Sequence, residues 1–296
     1  MTEPESPIQS SLSPDALSWT DFWFADRKGS DSLRIIRVGF SVLAAWYFAS
    51  HFADVGRWFS STGLLATDGL GKFLEAADLL SETQWRLSPL YWMNSTSLLR
   101  LFLLVGIGFA AAAAFVRKTR VASVGLWLCG LWLANRSLMI DGTEELVLCF
   151  SLAYLALASP RDEPHWSRAL GLRLLQLHTT ILIAVTGLTM LSSEIWWDGT
   201  GSVSIAAPVQ RRLFDIADWL SNPIIHEPLT HAIVLVALLG PIGLWVRRTH
   251  LFAYVALCGW CVTLAILSSQ WLYFSGVFVL LQGFVPRSFT RGRVSE

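Results

Sequence analysis

Residues 97–120 read SLLRLFLLVGIGFAAAAAFVRKTR, uncharged from Leu101 to Val116 and basic immediately afterwards. A hydrocarbon core of about 30 Å asks for about 20 apolar residues in a spanning helix, and this stretch supplies them. Arg117, Lys118 and Arg120 then mark one end of that helix as the cytoplasmic side, where Lys and Arg accumulate. Working outward, the same reading applies to residues 34–52, 121–138, 143–159, 169–191, 229–246, 250–268 and 271–286. With 97–116 these make eight apolar segments.

The bulk composition agrees. The 296 residues are 53% hydrophobic and 15% charged, with mean hydropathy +0.50, whereas a soluble domain carries about 25% charged residues. A chain this apolar would lack a polar coat in water. With a net charge of +0, nothing suggests the clustered basic footprint of a nucleic-acid-binding protein. The expected fold class is therefore all-α, a polytopic transmembrane bundle of about eight spanning helices with both termini cytoplasmic. Residues 1–30 are expected as a disordered lead ending in an interfacial piece, Trp19 to Phe24. They lack an apolar core behind a basic start, so they do not read as a cleavable signal. Residues 31–286 form the transmembrane domain and 287–296 a basic cytoplasmic tail.

Orientation follows from the basic residues. With the N-terminus inside, fifteen of the 22 Lys and Arg fall on the cytoplasmic side, Arg34, Arg37, Arg168, Arg173, Arg247 and Arg248 among them. The remaining seven, including Arg57, Arg100, Arg136, Arg211 and Arg212, fall on the other side. Inner connections are short and basic; the two long loops, 53–96 and 192–228, are outer. KFLEAADLL (72–80) and Val209 to Leu220 within those loops have the amphipathic pattern of helices lying in the interface. An active or binding surface is expected to open outward.

Aromatic and sulfur residues fit the same picture. Of fifteen Trp residues, Trp58, Trp92, Trp166, Trp196, Trp197, Trp245 and Trp271 stand near predicted helix ends, where an amphipathic ring prefers the headgroup layer. Trp46, Trp127, Trp132 and Trp260 lie deeper and are expected to pack inside. Cys129, Cys149, Cys258 and Cys261 all sit within apolar runs. The last two have CxxC spacing without a second pair, so small packing residues are expected rather than a redox or metal site.

Three polar groupings interrupt the apolar pattern. Asn135-Arg136 through Asp141-Gly142-Thr143-Glu144-Glu145 joins the third and fourth segments at the outer boundary. It is either a tight turn, with Arg136 pairing Asp141 or Glu144 and Thr143 or Asp141 capping the next helix, or part of an outward polar pocket. Ser192 to Gly201 contains Glu194, Trp197 and Asp198, read as a ring anchor and turn or as a pocket wall. In the fifth segment Arg173, Gln176 and Thr180 share a helical face, with His178 off it. Interhelical hydrogen bonding and a solute or proton path are the two readings there. His226 and His231 bracket Pro228, which is expected to interrupt the helix between them; they form no metal pair. Gly106, Gly108 and Ala110 to Ala114 suggest a close helix contact. No metal site is expected anywhere, and no residue assigns a cofactor.

Four of these elements, in order over about residues 31–286, resemble a known family. They are Leu33-Arg34-Ile35-Ile36-Arg37, Gly106 to Arg120, Asn135-Arg136 through Asp141-Gly142 to Glu144, and Arg173-Leu-Leu-Gln176-Leu with Thr186-Gly187-Leu and Trp197-Asp198-Gly199-Thr200. The chain is similar to the HTTM domain group, bacterial membrane proteins related to the vitamin K-dependent gamma-carboxylase. That resemblance implies a helical bundle in the cytoplasmic (inner) membrane with its working face on the luminal or periplasmic side. It does not imply carboxylation. Where the carboxylases carry a catalytic lysine after the Gly motif, this chain has Met190, whose thioether has no ionisable proton, and a counterpart of their large luminal domain is not expected.

The leading expectation is thus a binding, assembly or maturation-accessory protein whose partners are the bilayer and a membrane or secreted-peptide component, with no nucleic acid. The first alternative is a membrane enzyme acting on a lipid or quinone-like substrate. Glu194, Glu144 and Asp141 would serve it as acid/base groups, with Asn135, Arg136, Trp197 and Asp198 in the pocket. The second alternative is a small-solute transporter built on Arg173, Gln176 and His178.

Overall fold

The computed structural model describes residues 19–24, 30–66, 72, 75, 88–116, 120–137, 142–158, 166–207 and 216–285. Arg117, Lys118, Asp141, Arg211 and Arg212, most of KFLEAADLL and the basic tail lie outside the described residues. Among the described residues there is no strand. Helices α1 (Trp19–Phe24), α2 (Ser30–Phe52) and α3 (Val55–Phe59) precede a 3₁₀ turn at Pro89–Trp92. Then come α4 (Thr96–Phe115), α5 (Arg120–Arg136), α6 (Thr143–Leu157) and α7 (Trp166–Leu191). Three short helices follow, α8 (Glu194–Trp197), α9 (Gly201–Ala206) and α10 (Ala217–Leu220). The chain closes with α11 (Pro223–Trp245), α12 (His250–Ser268), α13 (Trp271–Leu281) and a 3₁₀ turn at Gln282–Phe284.

A helix stands at each of the eight expected segments. Five of them, within Ser32–Phe52, Thr96–Phe115, Trp166–Leu191, Pro223–Trp245 and His250–Ser268, are long and apolar enough to cross a membrane. The other three are shorter. At 1.5 Å per residue, α5, α6 and the Trp271–Phe284 helix reach about 26, 23 and 21 Å. All eight run alternately between two ends of one bundle. At one end Arg120, at the start of α5, donates through Nε and Nη2 to Ala156 O (3.0 Å) and Leu157 O (2.8 Å) at the finish of α6. Arg37 near the start of α2 reaches Ala158 O (3.5 Å). His250 at the start of α12 bridges Leu244 O (2.6 Å) and Phe284 O (2.8 Å). At the opposite end the start of α4 meets α3, where a Cβ on Gly56 would lie 2.9 Å from Thr96.

The helices are apolar on both sides, which is why they look inward and outward at once. On α4, Leu99, Leu103, Gly106, Ala110 and Ala113 are buried against the bundle, while Leu98, Leu101, Leu104 and Val105 are exposed. Exposed Ile181, Val185 and Leu188 on α7 and Leu235, Leu239 and Ile242 on α11 extend that outer surface. Continuous apolar surface of this extent is foreign to a protein in water and matches a lipid environment.

Close approach falls at Gly106, where an added Cβ would meet the Phe48 ring at 2.9 Å. Phe48 is fully buried and has nowhere to go. Gly108, expected to share that contact, faces open space instead, because two residues along a helix turn it by about 200°. Trp46, expected inside, points outward and is exposed, whereas Trp260 is buried and donates its indole N–H to Ile233 O (3.0 Å). Pro228 does not interrupt its helix either. Asn222 caps α11 through its side chain, accepting from Ile224 N–H (3.1 Å), and Pro223 takes the first helical position. The hydrogen bond that Pro228 lacks would have used the Ile224 carbonyl, in an exposed first turn where the loss costs little.

Replacing Gly106 with Val should therefore lower thermal stability in detergent by about 1–3 kcal/mol, the usual cost of overpacking. Gly108→Val should leave the unfolding midpoint nearly unchanged, and equal losses from both would show that the Phe48 contact is not limiting.

Candidate functional site

The end of the bundle opposite Arg120 and His250 carries the elaborated loops, and its centre is Arg136. The last turn of α5 places this side chain at 0% exposure. Its Nη2 donates to Leu65 O, and its guanidinium lies over the rings of Tyr91 (5.1 Å) and Phe59 (5.5 Å). The expected pairing with Glu144 is not formed, and among the described residues Nε and Nη1 have no hydrogen-bond partner. Two neighbouring bonds hold the same corner. Ser88 Oγ donates to Trp132 O (2.7 Å), and Tyr91 OH donates to Asn135 O (2.9 Å). Arg136 thus ties the segment after α3, the 3₁₀ turn and the end of α5 together, in a setting where aromatic faces replace water.

Helix α6 starts beside it. Its cap position is Gly142, not Thr143, and among the described residues, which do not include Asp141, no side chain caps it. Instead the Glu144 carboxylate folds back against Gly142, close to where a Cβ would stand, and this first turn carries two acids, Glu144 and Glu145, at the positive end of the helix dipole. Glu144 is half-buried, while Glu145, part of the same grouping but not singled out as an acid/base candidate, is 6% exposed. Glu145 lines a cavity of about 360 Å³ between α5 and α6. Trp127, Leu131 and Asn135 face it from α5, each four residues apart, and Glu145, Cys149 and Ala153 face it from α6 at the same spacing. The signal was present in the sequence as two facing i, i+4, i+8 stripes, each with a polar residue at its outer end.

The second outer grouping is separate. Glu194 and Asp198, at the two ends of α8, are both exposed. Trp197 is exposed too and donates its indole N–H to Leu191 O (2.8 Å), satisfying a carbonyl at the end of α7. The turn then needs Gly199, whose φ is +75° and whose Cβ position lies 2.9 Å from Glu227. Behind it a buried hydroxyl pair docks the loop onto α11. Thr230 Oγ1 stands 2.8 Å from both Gly199 O and His226 O, accepts the Ser202 N–H (3.1 Å) and lies 2.9 Å from Ser202 Oγ. Helix α8 packs on α7, α9 and α11, whereas α6 packs on α2, α5, α7 and α13. Glu194 and Glu144 therefore belong to different groupings.

Arg173 and Gln176 lie at the opposite, basic end. Arg173 Nη1 donates to Gln176 Oε1 (2.8 Å), and its Nε donates to Phe22 O (3.1 Å) with the Phe22 ring 4.5 Å from the guanidinium. Gln176 Nε2 donates to Gly283 O (2.6 Å). This clamp joins α1, α7 and the final 3₁₀ turn. His178 faces away from it, between the rings of Phe150 (5.5 Å) and Tyr154 (5.7 Å) on α6, and its Nε2 has no hydrogen-bond partner among the described residues. Met190 is buried in the core at the C-terminal end of α7. Among the described residues no three His, Cys, Asp or Glu side chains converge as a metal ion would require.

Arg136→Ala should cost about 1.5–3 kcal/mol, the range for a lost charged hydrogen bond in a buried setting. It should also open residues 61–66 to protease in the purified protein. Glu194→Gln and Asp198→Asn, on exposed positions, should stay within about 0.5 kcal/mol; thermal unfolding and limited proteolysis read both.

No protein-family model matches the chain, and neither a curated protein nor a solved structure matches it.

Proposed function

We propose that this chain is an eight-pass membrane protein of the HTTM-like type, with both termini cytoplasmic, which works by binding at its outward face and not by carboxylation. The observation that carries the reading is the difference between the two ends of the bundle. One end gathers Arg34, Arg37, Arg120, Arg168, Arg173, Arg247 and Arg248 on short connections, the charge bias of a cytoplasmic surface. The other holds α3, α8, α9, α10 and the 3₁₀ turn, with Arg136 and the Ser202–Thr230 pair buried beneath them. Folded loops over a fixed polar layer make a surface that a membrane or secreted-peptide partner recognises.

Helices α5, α6 and α13 complete the eight passes because their ends meet the same two layers as the longer five, and a locally thinned bilayer accommodates the deficit at modest cost. Arg173 and Gln176 hydrogen-bond to main-chain carbonyls of neighbouring elements, which favours a clamp over a transport path. The enzyme alternative keeps one specific support, the α5–α6 cavity with Glu145 at its outer end.

Cysteine labelling tests the reading. Ser61→Cys and Asp198→Cys should react with a membrane-impermeant maleimide on intact cells, and Arg248→Cys only after permeabilisation. Labelling of Arg248→Cys on intact cells would reverse the orientation. A thiol cross-linker carried at Asp198→Cys should capture a partner chain that Arg248→Cys does not, and capture from the inner position alone would remove the outward binding face.

A further inference from the structure

The cavity between α5 and α6 is both open and amphipathic. Its depth is apolar, formed by Trp127, Leu131 and Ala153, and its outer end carries Asn135 and the buried carboxylate of Glu145. Leu146 and Phe150 also line it and are 60% and 49% exposed, so its open side faces the apolar surround of the bundle. About 360 Å³ corresponds to about a dozen water-sized units. That accommodates one headgroup with the first part of one chain, and the rest of the molecule stays in the bilayer.

We propose that this cleft binds an outer-leaflet lipid carrying a primary ammonium headgroup, seated with its N–H donors on Glu145 and one chain along Trp127 and Leu131. The proposal deepens the outward binding reading above and rests on its placement of α5 and α6 in lipid. Charge decides the occupant. Glu145 stands in the first turn of α6, at the positive end of the helix dipole. An ionised carboxylate accepts hydrogen bonds and does not donate them, so it suits a cationic donor and repels an anionic head. Asn135 at the same end adds an amide that both donates and accepts, which fits the ester oxygens beside such an ammonium group. A choline head has the charge without an N–H, and a glycerol head has hydroxyls without the charge. The site should rank ethanolamine-headed lipid above both.

The test uses the full chain in nanodiscs containing a photoactivatable ethanolamine-headed lipid, with cross-linked peptides mapped by mass spectrometry. Adducts should concentrate on residues 127–153. Excess unlabelled ethanolamine-headed lipid should displace them, with choline- and glycerol-headed lipids at least about tenfold weaker, the scale of one charge-assisted hydrogen bond. Glu145→Gln should weaken labelling about tenfold, and Ala134→Phe, which fills the cleft, should abolish it while adducts elsewhere persist. Soluble ethanolamine should not compete, and full competition by it would make the site one for free amines, overturning the lipid assignment. Equal displacement by all three lipids, or adducts spread evenly over the exposed helix faces, would also overturn it. The competition arm needs no variant, so a misfolded mutant leaves the result decisive. A reversed topology with intact cleft labelling would sink the outward orientation alone.

Discussion

Backbone and side-chain polar groups inside an apolar surround must be satisfied by the protein itself, since lipid offers no hydrogen bonds. Many helix side chains meet it within the protein, although Ser41, Ser151 and His178 leave buried polar atoms without a hydrogen-bond partner among the described residues. Hydroxyls within the helices bond back to the carbonyl four residues earlier, as Ser137 does to Leu133 O (2.8 Å), Thr179 to Leu175 O (2.7 Å), Thr186 to Leu182 O (2.8 Å) and Ser268 to Leu264 O (2.7 Å). Longer polar groups reach across helices, as Trp260 does to Ile233 O and Gln176 to Gly283 O. Many polar side chains on the long helices are therefore committed to holding the fold. That leaves few places where chemistry or recognition can occur.

The two ends use their polar residues differently. At the basic end, Arg120, Arg173 and His250 bind carbonyls at helix termini, which closes the bundle with little extra chain. At the opposite end the chain inserts short helices and turns, and buried groups such as Arg136 and Thr230 hold them down. A closed, cationic surface and a built-up, internally bonded one are suited to different neighbours. This asymmetry, more than any single residue, sets where a partner is recognised.

Much of this architecture is legible in the sequence because it depends on length and charge. All eight apolar segments hold helices, and among the described residues Arg37, Arg120, Arg173 and Arg248 stand at one end, since neither property needs knowledge of what touches what. The Asp198-Gly199 turn was readable for the same local reason. Details that depend on packing were not. Gly106 and Gly108 look equivalent on paper, but only Gly106 faces Phe48. Trp46 looks as interior as Trp260, yet in a bundle hydrophobic on all sides composition does not say which face is inside. Glu144 and Glu145 are indistinguishable by type, and only the facing stripes of α5 and α6 put Glu145 at a cavity. Arg136 does not pair with Glu144 and sits against two rings supplied from residues far away in sequence, a contact that no local pattern encodes.

That arrangement around Arg136 bears on how the protein is made. A guanidinium near the end of α5 is poorly accommodated by lipid on its own, and the groups that shelter it, Phe59, Tyr91 and Leu65 O, come from chain synthesised before α5. In the proposed membrane arrangement the shelter of α5 is synthesised before α5 itself, so the helix can be stabilised as it forms. Translation order and the final contacts then run in the same direction, and the earlier segment acts as a receptor for the helix that follows it.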